Sequence, residues 1–219
     1  TYINLYNHSM RISEKKKIAL VLSGGGIKAA AFHLGVCLAL REKGFIFAGG
    51  TKDEVELKYP DGKMTIRVYV GSSAGAVISA FLAAGYGVDA IIDAFERGSN
   101  TDLKRMTKLR KPNARLRPLT YLDMFTLNGG NFMSFIPNVI RRQSIITGGL
   151  EAFLKNGFKV NGLFTTKGIE KYLRKYVFPP NQFSKLGVEL FVVGTQINHS
   201  RKVVFGNFPE TYKVKTVKY

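Results

Sequence analysis

Between Arg67 and Asp89 the chain runs for 21 residues, Val68 to Val88, without a charge. A helix of roughly 20 apolar residues is long enough to cross a bilayer, so length alone would permit a span. The interior of the run forbids it. Gly71-Ser72-Ser73-Ala74-Gly75 divides it into a β-branched strand end, Val68-Tyr69-Val70, and a small-residue helix, Ala74–Ala84, neither of spanning length. What is left is a strand that turns abruptly into a helix, with Ser73 at the apex. A residue at such an apex is held in a sparsely populated backbone conformation, at a cost on the order of 1–3 kcal/mol. Side chains at 71 and 75 would collide in so tight a bend, and both positions are glycine. The bend lifts the Ser73 hydroxyl clear of the backbone at a helix N-terminus, as the G-x-S-x-G nucleophile pattern requires. Three fixed positions in five recur by chance, so a plain strand–turn–helix joint with an incidental serine is the alternative; the flanking strand and helix favour the nucleophile.

A second strand–turn–helix precedes it. Ile18–Leu22 is a short apolar run with β-branched residues, which predicts a strand buried on both faces of a parallel sheet. Ser23-Gly24-Gly25-Gly26-Ile27-Lys28 is a tight turn. Ala29–Lys43 then predicts a helix apolar nearly all round and therefore buried, with Gly44 as its stop. If the two strands are parallel neighbours, both turns emerge at one carboxyl edge. The Gly24, Gly25 and Gly26 amides, with that of Ala74, then face the carbonyl that Ser73 attacks. One such donor contributes roughly 2.7–4 kcal/mol to a transition state. Lys28 pairs with a carboxylate or helps hold an anion there; a solvated lysine at a helix start is an equal alternative. Gly24, Gly26 and Ala29 also fit the dinucleotide fingerprint G-x-G-x-x-G/A. That fingerprint needs an acidic residue about 20 positions on. Phe45–Gly50 has none and Asp53 comes late.

Val55, Leu57 and Tyr59 alternate with Glu54, Glu56 and Lys58, and Met64, Ile66, Val68 and Val70 alternate with polar neighbours. With Pro60-Asp61-Gly62 between them, the two runs predict a β-hairpin. Asp89–Arg97 and Ile169–Tyr176 predict helices, and Val188–Val193 and Val203–Phe205 predict strands. Strands alternating with helices give an α/β class: a central, mostly parallel sheet with helices on both faces. Residues 1–219 form a single domain, with 103–164 as an insertion or cap. Tyr121–Val139, rich in Phe, Met, Leu and Ile, suits either an apolar cap or ordinary core.

Hydrophobic residues at 45% and charged residues at 22% exclude a disordered chain. A single cysteine, Cys37, excludes a disulfide framework and a cysteine-rich zinc site, and fits a small core hydrophobe. His33, alone on the first helix, is expected to be a hydrogen-bonded core residue. The 33 Lys and Arg against 15 Asp and Glu give a net charge of +18, a field that attracts anionic membranes or nucleic acid. Lys104, Arg105, Lys108, Arg110, Lys111, Arg115 and Arg117 form an acid-free cluster. It is a solvated face, an anionic-membrane docking patch or, less well supported because no reader motif accompanies it, a nucleic-acid surface. The first residue is Thr and no signal-peptide pattern follows it, so the native start is expected to be missing and the location to be cytoplasmic, soluble or peripheral to a membrane, with export as an effector left open.

Taken in order, Gly24-Gly25-Gly26-Ile27-Lys28 and Gly71-x-Ser73-x-Gly75 resemble the two N-terminal motifs of the patatin-like phospholipase family. His33-Leu34-Gly35-Val36 resembles that family's first helix, and Val192–Gly206 its later strand pair. Ala29 stands where the family commonly has glycine. The resemblance implies a three-layer sheet fold related to the α/β-hydrolases. It implies a serine acyl hydrolase of the phospholipase A or lysophospholipase type, with phospholipid or another acyl lipid as substrate and no metal or organic cofactor. It also implies a Ser–Asp dyad whose aspartate follows the serine in an Asp-Gly pair. The one Asp-Gly here, Asp61-Gly62, precedes Ser73. The expectation is therefore a chain cut short of its catalytic aspartate. A non-catalytic lipid- or membrane-binding module of the same fold, and a nucleotide-binding domain, are the alternatives.

Overall fold

The computed structural model describes residues 12, 15, 17–59, 62–99, 116–120, 126–127, 164–165, 167–178 and 181–208. Its centre is β3 (Thr65–Ser72), buried along both faces. β1 (Ile18–Leu22) runs parallel to β3 on one side, with Leu22 level with Gly71. On the other side β6 (Glu189–Gln196) is also parallel to β3, with Ser72 level with Val193. The short β2 (Ile46–Phe47) pairs in parallel with Thr65 and Ile66. β7 (Arg201–Gly206) returns antiparallel along β6, so the order is β1-β3-β6-β7. A separate two-stranded pair joins β4 (Thr126–Leu127) to β5 (Phe164–Thr165). This is the expected mostly parallel α/β sheet with helices.

α3 (Ala74–Ala83) lies on β3, β1 and β6, and α1 (Gly26–Glu42) and α4 (Val88–Ser99) pack around it. Small residues let α3 approach the sheet closely. Ile78, Phe81 and Leu82 from α3, Tyr69 and Ile66 from β3, Ile91 from α4 and Tyr172 from α5 (Lys167–Tyr172) form the centre of the core. Phe81 meets Tyr172 edge-on at 6.2 Å. Tyr69 donates its hydroxyl to the Ala48 carbonyl at 2.7 Å, and burial pushes its ionisation well above the ordinary tyrosine range. The uncharged run Val68–Val88 is split as expected, and among the described residues no helix is long and apolar enough to cross a membrane.

Three expectations need correction. Residues 52–58 form helix α2 (Lys52–Lys58), not the first arm of a hairpin. Thr51 and Glu54 close a capping box: the Thr51 side chain accepts from the Glu54 amide and the Glu54 carboxylate from the Thr51 amide. Val55 and Tyr59, four apart, then turn inward, while Leu57 is 83% exposed. Alternation over six residues was outweighed by a local capping signal at the helix start. Second, β1 is buried on one face only: Leu20 and Leu22 are inside and Val21 is 70% exposed. Third, α1 begins at Gly26 and buries a single stripe, Ala30, His33, Leu34 and Cys37, leaving Phe32 69% exposed. Burial pushes the Cys37 thiol up to about 11, so it stays an unreactive core group. The predicted helix at Ile169–Tyr176 is present as α5 followed by a wide π-helical turn, Leu173–Val177.

Ile78 and Ser79 are adjacent on α3 and both fully buried, and the Ser79 hydroxyl has no hydrogen-bond partner among the described residues. Ile78→Ala is expected to lower unfolding stability by about 2–5 kcal/mol. Ser79→Ala, which removes a buried unsatisfied hydroxyl, is expected to be neutral or stabilising by about 1 kcal/mol. Paired denaturant melts check the opposite signs.

Candidate active site

The register of β1 on β3 brings the two glycine turns to one edge of the sheet. Both strands run the same way, so both end at the carboxyl rim, where open α/β sheets bind ligands. Ser73 sits between β3 and α3 with φ 52° and ψ −121°, a conformation that L residues rarely adopt. Its side chain makes no capping hydrogen bond to α3 and is exposed. The two motif glycines are explained by contact. A Cβ on Gly71 would stand 2.5 Å from the Gly75 carbonyl oxygen, and one on Gly75 would stand 2.2 Å from the Leu22 carbonyl oxygen. Gly75 is therefore as much a condition for joining the two turns as for the bend itself.

The first loop closes on the serine. A Cβ built on Gly24 would lie 3.1 Å from Ser73 Cβ and 3.8 Å from Ser73 Oγ. Gly25 (φ 144°) and Gly26 (φ 64°) then lead into α1. A Cβ on Gly25 would fall 2.8 Å from the Cβ of Ala29, so the alanine at that position makes a bare residue at 25 necessary. The first amides of a helix have no partner within it and carry the positive end of its dipole. The N-termini of α1 and α3 both open onto this rim. Gly24 thus stands beside Ser73, which Ala74 follows directly, while Gly25 and Gly26 carry the loop on into α1, where Lys28 is exposed on the first turn.

A residue expected only to fill the core binds the arrangement together. His33 is buried on α1, and its Nε2–H donates to the Ser23 carbonyl at 2.8 Å. The same carbonyl accepts the Gly75 N–H at 3.2 Å. Because the partner is a carbonyl, Nε2 carries the proton. One oxygen thereby ties α1, the first turn and the bend. The available signal was spacing: His33 lies two helical turns beyond Gly26, on the face that returns toward the loop.

A mostly apolar groove of about 400 Å³ lies at the ends of β1 and β3, lined by Val21, Phe32, Val36, Val70 and Val193 together with Ser23, His33 and Ser72. Of the aspartates, Asp89 and Asp93 form surface pairs with Arg41 and Arg97, and Asp53 is exposed on α2. The Arg41 guanidinium holds the Asp89 carboxyl below its usual range. Asp61, Asp102 and Asp123 lie outside the described residues, as do Lys104, Arg105, Lys108, Arg110, Lys111 and Arg115. Arg117 is described: with Lys175 it stands over the ring of Tyr176, and together they lower the ionisation of that phenol.

Comparison with known proteins follows the same outline. One family model, described as Patatin-like phospholipase, matches residues 20–217, nearly the whole chain. No curated protein and no solved structure matches.

The contact geometry separates two glycines that look alike in the sequence. Gly75→Ala, forced against the Leu22 carbonyl, is expected to prevent β1 and β3 from closing and to unfold the protein or lower its melting temperature sharply. Gly35→Ala on α1 meets open space and is expected to stabilise by roughly 0.5–1 kcal/mol. Thermal melts of the two variants provide the check.

Proposed function

Since the chain belongs to the patatin-like phospholipase family, a family of lipid acyl hydrolases, we propose that it cleaves fatty-acyl esters of membrane lipids with Ser73 as nucleophile, in the manner of a phospholipase A or lysophospholipase. The observation that carries this is the joint position of Ser73 and Gly24: a strained, exposed serine with bare backbone drawn up beside it. Ser73 Oγ attacks the ester carbonyl carbon while its proton passes to a carboxylate. The carbonyl oxygen, now negative, is held by N–H groups of Gly24, Gly25, Gly26 and Ala74. Collapse expels the lipid alcohol, which takes the proton, and leaves an acyl-serine. Water, giving its proton to the same carboxylate, then releases the fatty acid and restores Ser73. Gly71 and Gly75 serve by permitting the bend.

The described aspartates are paired with surface arginines or exposed on α2, and we look for the carboxylate outside the described residues. The apolar groove beside Ser72 supports the lipid reading, since an acyl chain gains about 0.8 kcal/mol per buried methylene. The net charge of +18 favours an anionic bilayer as the place of action. That no carboxylate is identified also favours a second reading, a lipid-binding module of the same fold without activity.

A fluorophosphonate probe tests the choice. The full-length protein, with its carboxylate, is expected to be labelled and its Ser73→Ala variant to lose the label. Gly24→Ala, which pushes a methyl toward Ser73, is expected to slow labelling by roughly tenfold or more, a part of the loss that follows removal of one oxyanion donor. Equal labelling of Ser73→Ala and the parent would contradict the mechanism. Absence of label from both, with lipid binding retained, would favour the inactive module.

A further inference from the structure

β6 and β7 outrun the rest of the rim. Val193 is level with Ser72, the last residue of β3, and β6 continues through Gly194, Thr195 and Gln196 paired with β7. At about 3.3 Å per residue, Gln196 stands roughly 10 Å beyond the end of β3. The short turn Ile197–His199 closes the ribbon, with Ser200 in the left-handed conformation. Ile197, at the tip, is 85% exposed. Arg201 and Lys202, both exposed, are level with Gln196 and Thr195. Successive side chains of a strand leave opposite faces, so the two cations flank the ribbon on both sides. Neither forms an ion pair among the described residues. From Leu190 to Phe208 there is no Asp or Glu.

An apolar side chain at the end of a projection, with a cation behind it on either face, is a poor surface for water. It suits a boundary where hydrocarbon lies just beneath anionic headgroups. We propose that the β6–β7 tip docks the protein on an anionic lipid bilayer, with Ile197 entering the acyl boundary and Arg201 and Lys202 meeting headgroup phosphates. The tip rises from the same edge as Ser73, so docking turns that edge toward the lipid. This gives the lipid-hydrolase reading a place of contact and rests on it for its purpose, though the docking itself does not require Ser73 to react. A polynucleotide would also accept the two cations, but it offers nothing to the isoleucine.

The test uses the full chain with vesicles of phosphatidylcholine alone and of phosphatidylcholine mixed with phosphatidylglycerol, read by sedimentation. The parent is expected to prefer the mixed vesicles. Arg201→Gln/Lys202→Gln is expected to lower that partitioning roughly thirtyfold, from about a fivefold loss per cation. Ile197→Asp is expected to lower it by at least tenfold and to do so in high salt as well. Cleavage of a soluble short-chain p-nitrophenyl ester should be unchanged in both variants. Undiminished partitioning of both variants overturns the proposal, as does equal binding of the parent to the two vesicle types. Loss of polynucleotide binding with vesicle binding intact would assign the tip to nucleic acid instead. A parent that cleaves no ester but shows the expected partitioning would sink the hydrolase reading and leave the docking site standing.

Discussion

The register of two parallel strands governs everything at the rim. With Leu22 level with Gly71, the ends of β1 and β3 lie side by side and the bends that follow them touch. The contact is narrow enough that Gly75 has no room for a methyl against the Leu22 carbonyl. The Ser23 carbonyl, accepting from both Gly75 N–H and His33 Nε2–H, clips the register in place. A slip of one residue would move the first loop by about 3.3 Å and turn each β1 side chain to the opposite face. Gly24 would leave Ser73, and the buried Leu20 and Leu22 would exchange places with the exposed Val21.

The bend at Ser73 was legible in the sequence because its causes are local. Glycine two residues either side of a serine, between a β-branched strand and a small-residue helix, restates in residue types the collision at Gly71, whereas Gly75 is bare because of the Leu22 carbonyl of β1, which the local sequence does not announce. β3, α3, α4, β6 and β7 were visible for a similar reason, since each carries its own periodicity. The failures came where distant parts decide. Nothing in Ile18–Leu22 says which face is covered, and nothing in the apolar sequence of α1 says that one stripe alone would be buried. At α2 the conflict was between two local signals. Six alternating residues suggested a strand, but the Thr51–Glu54 capping box set the start of a helix that buries Val55. His33 was read as core, which it is; its bond to the Ser23 carbonyl depended on a turn geometry that a lone histidine does not announce.

Charge and exposed apolar surface converge on the edge that holds the serine. The strand pair β6–β7 extends past that edge without a carboxylate, and the groove lined by Val21, Phe32 and Val193 also takes in Ser72 at the end of β3. A water-soluble substrate gives no reason for Val21 and Phe32 to lie open or for Ile197 to stand at a tip. A substrate that is itself part of an apolar phase does.

The central claim is that backbone amides of the first loop face the oxygen of whatever is bonded to Ser73. A crystal structure of the protein after reaction with a phosphonate ester tests it directly. The account predicts phosphorus bonded to Ser73 Oγ and a phosphonyl oxygen about 2.7–3.1 Å from amide nitrogens among Gly24, Gly25, Gly26 and Ala74. An adduct on another side chain, or a phosphonyl oxygen turned to solvent away from those amides, would contradict it.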